Sequence, residues 1–302
     1  MQLSSYAIGA RAAPVVATVA VITTLGTCVT IAKANDVYLG GLDWPYFSDT
    51  GRDSPGYSVF CAGLSIVAVS LVLTWLANYQ FQRELIETES HENADSLCVA
   101  TIRRYSTIVR LLGVLSAVGL PVLAFFSTTS YPDVHKYAAY WFFVLEAFAL
   151  LLNTIVSFKL TRLAEATDNP YISTESDNQA STMFTPWKMA KSSTKRTFYI
   201  QLVFTTLFLI AFLLYIPIGL AIAADFQRLT VDECLALNLG EDYCTIAMRL
   251  NDMETELWNY SNDIAVNQLR SASQLSCILT LVGYSLSFLS QGGDSLQDDT
   301  IC

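Results

Sequence analysis

Three ionisable side chains interrupt long apolar stretches of this chain: Arg110, Glu146 and Arg270. An ionisable group in hydrocarbon is costly and usually faces a partner, a cavity or a water-filled path, so these residues are the first place to look for chemistry. Arg110 lies about 6 Å from the end of its stretch at 1.5 Å per residue, close enough for its head to reach the interface. Glu146 and Arg270 sit deeper, at about 18 and 21 Å from the inner edge of a ~30 Å hydrocarbon core. Their matched depth predicts an intramembrane ion pair. In the alternative, Arg270 reaches outward to the acidic loop, towards Asp263, and Glu146 is protonated.

Other residue types point to binding or covalent structure. Cys234 and Cys244 flank Gly240 in an acidic segment between two apolar runs. On the outer side of a membrane they would meet an oxidising compartment, where disulfides persist. A local bridge is expected, with two buried thiols as the alternative. Asn259-Tyr260-Ser261 is a glycosylation sequon, but it stands so close to the next apolar run that occupancy is not expected. Lys188, Lys191, Lys195 and Arg196 cluster before another run. Such a patch attracts anionic lipids of the cytoplasmic leaflet at about 1 kcal/mol per basic residue, and phosphorylation at Ser192, Ser193 or Thr194 would weaken it. It also matches the ordinary basic flank of a membrane span. The histidines are His91 and His135, and His91 to Asp95 begins like a zinc-protease motif without its second histidine. There is no Walker lysine loop, nucleophile elbow or Cys-x-x-Cys. No metal, cofactor or catalytic set is expected, although a carboxylate-based membrane transferase stays open.

The elements that position these groups are membrane helices. The chain has 302 residues, 53% hydrophobic and 15% charged, against about 25% charged in soluble proteins. That excludes a soluble enzyme, a disordered chain and a small disulfide scaffold. Apolar runs fall near 12–32, 58–78, 106–126, 137–158, 199–223 and 264–289, each long enough to cross a bilayer. They are continuous rather than alternating, which favours helices over barrel strands. The expectation is all-α: one six-helix transmembrane bundle over the whole chain. The inner segments carry about ten Lys and Arg against about five outside, which places both termini in the cytoplasm. The outer side holds about fourteen Asp and Glu, as a solvated surface or a cation-attracting mouth. With a net charge of −10, no nucleic-acid partner is expected. Ile246, Leu250, Met253 and Leu257 have the spacing of an amphipathic outer helix. Thr167 to Thr185 reads as a flexible polar loop. Gly113 and Ala117 give their helix a small face for close packing.

One loop is more specific. Trp44-Pro45-Tyr46-Phe47-Ser48-Asp49-Thr50-Gly51-Arg52-Asp53-Ser54-Pro55 stands just before the second run. It resembles the P-[FY]-I-S-D-T-G-x-x-P-P signature of the six-span FRAG/DRAM/Sfk family, nearest to its autophagy-modulator branch. Weaker agreements follow at Leu112-Gly113, at Ser116-Ala117, at His135 with Ala139, and at Ser271-Ala272-Ser273. Ser54 departs from the paired prolines, and Gln274 stands where an acid often occurs. Physically the segment reads as a turn in which Asp49 bonds forward and Gly51 supplies an unusual backbone angle. Trp44 and Tyr46 are placed at the outer interface. Asp49, Thr50, Gly51, Arg52 and His135 are candidate contacts to a lipid headgroup or a protein partner of unknown identity. The resemblance implies a non-enzymatic regulator in autophagy or in membrane-lipid and phosphoinositide homeostasis, in endolysosomal or plasma membranes. The alternatives are lipid or GPI-anchor remodelling, and a cation or proton pathway.

Overall fold

A computed structural model describes residues 2–89, 96–166, 186–222 and 227–291. Its main helices are α1 (Gln2–Ala34), α3 (Gly56–Glu89), α4 (Ser96–Phe125), α5 (Pro132–Ala166), α6 (Pro186–Ile222) and α8 (Ile264–Ser287). Six spans of membrane-crossing length and hydropathy lie at Arg11–Ala34, Gly56–Glu87, Val99–Phe125, Pro132–Leu163, Thr194–Ile222 and Ser261–Ser290. The chain is therefore an integral membrane protein of the expected all-α class, with helices extending several residues beyond the apolar runs. Helices can run past the hydrocarbon because their own hydrogen bonds satisfy the backbone.

Consecutive spans pack side by side, α1 on α3, α3 on α4, α4 on α5, α5 on α6 and α6 on α8; α8 returns to α1 and closes the ring. Val19, Val69, Leu115, Phe148 and Leu213 face outward and are exposed, as suits a surface solvated by lipid. With no hydrophobic drive between helices in lipid, small residues and hydrogen bonds must hold them together. Gly113 meets the Trp75 ring and Ala117 is buried, so the small face of α4 packs as expected. The half of the bundle nearer the start of α1 contains a polar ladder. Asn153 on α5 accepts from Asn78 (2.8 Å) and Gln82 (2.7 Å) of α3 and donates to Tyr284 of α8 (2.7 Å). Ser157 reaches Gln201 of α6 at 2.6 Å.

The end of the bundle that carries the loop between α1 and α3 is capped by a small lobe. Strands β1 (Gln227–Thr230) and β2 (Glu254–Asn259) pair antiparallel around α7 (Val231–Ala236). Thr230 begins α7 with a capping box to Glu233, which satisfies two orphan helix donors at once. Cys234 and Cys244 are bonded, as the spacing suggested, and pack with Leu229 and Leu257 in a separate core. The expected amphipathic helix is absent. Tyr243–Ala247 makes a single wide turn, and Leu257 lies in β2. Ile246, Leu250 and Met253 are exposed. The disulfide and the strand pairing set the backbone here, so helical spacing of apolar residues carried no structural meaning. The loop 167–185 and the stretch from His91 to Asp95 lie outside the described residues.

Candidate functional site: a polar vestibule

The signature loop does not stand away from the bundle; it folds down as its lid. Phe47–Thr50 forms one short helix, α2. Thr50 donates to the Phe47 carbonyl at 2.7 Å. Gly51 has φ −114°, so the unusual backbone angle expected of it is not used. Its role is clearance, since a Cβ there would lie 2.5 Å from Phe60 on α3. Asp49 does not bond forward to the backbone. It is 2% exposed and accepts from Tyr260 at 3.0 Å and from Thr128 at 3.5 Å. Trp44 is exposed as expected, but Tyr46 is buried, because its ring packs against Tyr260 and its hydroxyl donates to Asn267 on α8.

Below this lid lies a cavity of about 240 Å³ at the same end of the bundle. Asp49 and His135 line it, and Arg270 enters from α8. Arg270 Nε donates to the Tyr215 carbonyl, Nη1 to the Tyr46 hydroxyl and Nη2 to the Tyr140 hydroxyl, at 3.3–3.4 Å. Its guanidinium also stands 5.2 Å from the Tyr46 ring centre and 5.1 Å from that of Tyr215. Cation–π attraction of this kind strengthens when water is excluded. Gly219 on α6 provides the room, because a Cβ there would be 2.5 Å from Nε and Nη2. Gln274, one turn below Arg270, accepts from the Phe47 amide at 3.0 Å and donates to Tyr215 at 3.2 Å. An amide can do both, whereas a carboxylate at that position could only accept.

His135 starts α5 at the cavity wall and its Nδ1 donates to the Phe126 carbonyl at 2.9 Å. At the rim, Lys136 pairs with Asp133 at 2.9 Å. Arg52 lies behind the lid. It pairs with Asp53 at 3.0 Å and donates to the Tyr38 carbonyl. Burial raises the Asp49 pKa above the ordinary carboxylate range, against the opposing pull of Arg52, the Tyr260 hydrogen bond and His135. Burial disfavours charge on Arg52, but Asp49 and Asp53 outweigh it and its pKa is raised. Tyr46 and Tyr260 are raised by burial too, which keeps both phenols as donors.

The structure corrects the expected ion pair. Glu146 is fully buried; its Oε1 accepts from Ser116 at 2.6 Å and from Trp75 Nε1 at 3.2 Å, and its Oε2 has no hydrogen-bond partner. Arg270 instead meets the tyrosines. Cross-links between α5 and α8 show why. Tyr140 is level with Arg270, and Asn153 with Tyr284. Glu146 therefore lies six residues, about 9 Å, below Arg270. Counting from apolar boundaries could not fix that register. Arg110, expected to reach the interface, stacks on Tyr79 with 4.2 Å to the ring centre. Lys195 and Arg196 are exposed where α6 enters the membrane; the side chains of Lys188 and Lys191 lie outside the described residues.

The structure thus gathers Asp49, His135 and Arg270 around one cavity, sets Thr50, Gly51 and Arg52 as its frame, and leaves Glu146 and the basic cluster elsewhere. Sequence reasoning missed Tyr46, Tyr140, Tyr215, Tyr260 and Gln274. A signal existed in α8: Asn267, Arg270, Ser271 and Gln274 are spaced three or four apart and all are buried, a polar face inside an apolar span.

Comparison with known proteins gives the family. The profile of the Frag1/DRAM/Sfk1/Cwh43P N-terminal domain matches residues 9–231. DNA damage-regulated autophagy modulator protein 2 of Bos taurus is 31% identical over 116 residues, 38% of this chain and 40% of that protein. The Homo sapiens protein of the same name is 28% identical over 116 residues, with the same coverage. The chain thus spans about two fifths of the length of the curated relatives it matches. No solved structure matches significantly.

Proposed function

Because the chain belongs to the Frag1/DRAM/Sfk1/Cwh43 N-terminal domain family, we propose that it is a non-enzymatic membrane regulator of autophagy that works by binding at the outer vestibule. The observation that carries this reading is the fate of the family-like loop. Its Tyr46, Ser48 and Asp49 are not a solvated turn but the lid and wall of a polar cavity, with Asp49 and Arg270 both buried beside it. Buried charged groups are expensive unless they serve a packed network or a ligand. The vestibule is lined by hydroxyls, an amide and charges of both signs, and it suits recognition of a polar headgroup. The autophagy link is what the similarity to the two modulator proteins supports.

Both termini lie in the cytoplasm in this reading, from the Lys and Arg distribution. The vestibule and the Cys234–Cys244 bond then face an oxidising lumen or the cell exterior, in keeping with an endolysosomal or plasma-membrane location. On the cytoplasmic side, Lys188, Lys191, Lys195 and Arg196 support contact with anionic lipids. The test is autophagic flux in cells of the source organism lacking the gene. Flux should change on deletion and return on re-expression, and unaltered flux would overturn the reading.

A further inference from the structure

The vestibule does not end at Gln274. A second, apolar cavity of about 70 Å³ lies beneath it, and Ser48, His135, Ala139 and Gln274 line both. The lower cavity runs between α3 and α8, from Phe60 to Leu71 on one side and from Gln274 to Ser285 on the other. Eleven residues of helix make it about 16 Å long. Leu120 and Leu123 of α4, Phe142 and Phe143 of α5, and Ala17, Thr18 and Val21 of α1 complete its wall. α1 and α8 pack more sparsely than the other five neighbouring pairs in the ring, so the slot lies behind the least sealed seam of the bundle.

We propose that the vestibule and slot together hold one glycerophospholipid of the outer leaflet, with its phosphate toward Arg270 and one acyl chain in the slot behind the α1–α8 seam. The proposal rests on the vestibule reading above and names its occupant. Shape and chemistry both select it. The slot holds about 70 Å³ over its length, so it grips one side of a chain lying along it below the head, and the chain's other side faces the bilayer through the seam. The head region is too large for a carboxylate alone, and it offers cations at Arg270 and Lys136 with acids at Asp49 and Asp133. A phosphate with an attached amine or polyol satisfies both signs. The hydroxyls of Tyr140 and Tyr215, which accept from Arg270 and Gln274, can donate to the phosphate, whereas those of Tyr46 and Tyr260 already donate to Asn267 and Asp49. The second acyl chain leaves through the seam into the bilayer.

The test uses the full chain, extracted from its membranes and washed extensively in detergent, with bound lipid released and measured by mass spectrometry. About one glycerophospholipid per chain should remain, held by its head in the vestibule and by one chain along the slot. Ala139→Trp blocks the junction of the two cavities, and Val21→Trp fills the slot. Each should lower retention about tenfold or more, equivalent to at least ~1.4 kcal/mol of binding. Leu213→Trp, on the lipid-facing surface, should leave retention unchanged. For a readout independent of variant folding, the unaltered protein is labelled with phosphatidylcholine carrying a photoreactive chain, and in parallel with a photoreactive fatty acid. Cross-links from the phospholipid at residues 17–21 and 274–285 support the proposal. Retention no better than that of an outward-facing site, cross-links confined to outward surfaces, or labelling of the slot by the fatty acid alone would overturn it. Altered flux without lipid retention would sink this proposal and spare the function above, whereas lipid retention without a flux effect would do the reverse.

Discussion

Gly219→Ala tests the vestibule with a single carbon. The added Cβ would lie 2.5 Å from Nε and Nη2 of Arg270 and 2.7 Å from its Cζ. Ordinary contact is about 3.5–4.0 Å, so the guanidinium must retreat by roughly 1 Å. Its hydrogen bonds are already 3.3–3.4 Å long, and such a shift carries them out of range. It also pulls the charge off the Tyr46 and Tyr215 rings, each contact being worth about 0.5–2 kcal/mol. Overpacking of this kind costs about 1–3 kcal/mol. Against it stands the helix preference for Ala over Gly, about 0.8–1 kcal/mol. Packing wins, and the variant should lose about 1–2 kcal/mol. Thermal unfolding of the detergent-purified chain, followed by tryptophan fluorescence, measures it. In an Arg270→Ala background the clash is gone, and Gly219→Ala should become neutral or stabilising. The same destabilisation in both backgrounds would refute the assignment of Arg270 to this pocket.

Other perturbations have definite signs. Glu146→Gln keeps an acceptor for Trp75 and Ser116, so with Arg270→Leu it should show additive effects within about 0.5 kcal/mol in a double-mutant cycle; strong coupling would restore the ion pair. Opening the Cys234–Cys244 bond by Cys→Ser exchange removes a cross-link with a sequence separation of 10. The chain-entropy relation makes that about 2.5–3 kcal/mol of outer-lobe stability, read as faster proteolysis between residues 227 and 259; unchanged cleavage would contradict it. The raised pKa of Asp49 means that the folded state holds its proton more tightly than the unfolded chain. Its contribution to stability should therefore grow as pH falls through the folded value and level off below about 3.9, the unfolded value. Asp49→Asn should remove that component of the pH profile, and an unchanged profile would show that another group is responsible.

Much of the scaffold could be read from residue order because the bilayer imposes one rule, long apolar helices. The six spans were located to within several residues, and the cysteine bridge followed from compartment and spacing. Lateral geometry was another matter. Depth counted from apolar boundaries put Glu146 and Arg270 together, but tyrosine and asparagine cross-links set a register that separates them by about two turns. Composition marks where a helix meets water, not how it slides against a neighbour. The signature loop was visible as a motif, yet its glycine was assigned to a turn when it clears Phe60. A turn is a local property, while clearance depends on a side chain from another element. Tyr140 and Tyr215 passed as ordinary apolar span residues, because only the folded bundle shows that the Tyr140 hydroxyl and the Tyr215 carbonyl and ring converge on Arg270.

The central claim is that regulation runs through the vestibule, and complementation tests it most directly. Cells lacking the gene are given the unaltered chain, Ala139→Trp or Leu213→Trp, with folding and membrane location checked for each. Turnover of a lipidated autophagosome marker is then compared with lysosomal degradation active and blocked. The unaltered chain and Leu213→Trp should restore flux, and Ala139→Trp, folded and correctly placed, should fail. Full restoration by Ala139→Trp would contradict the account.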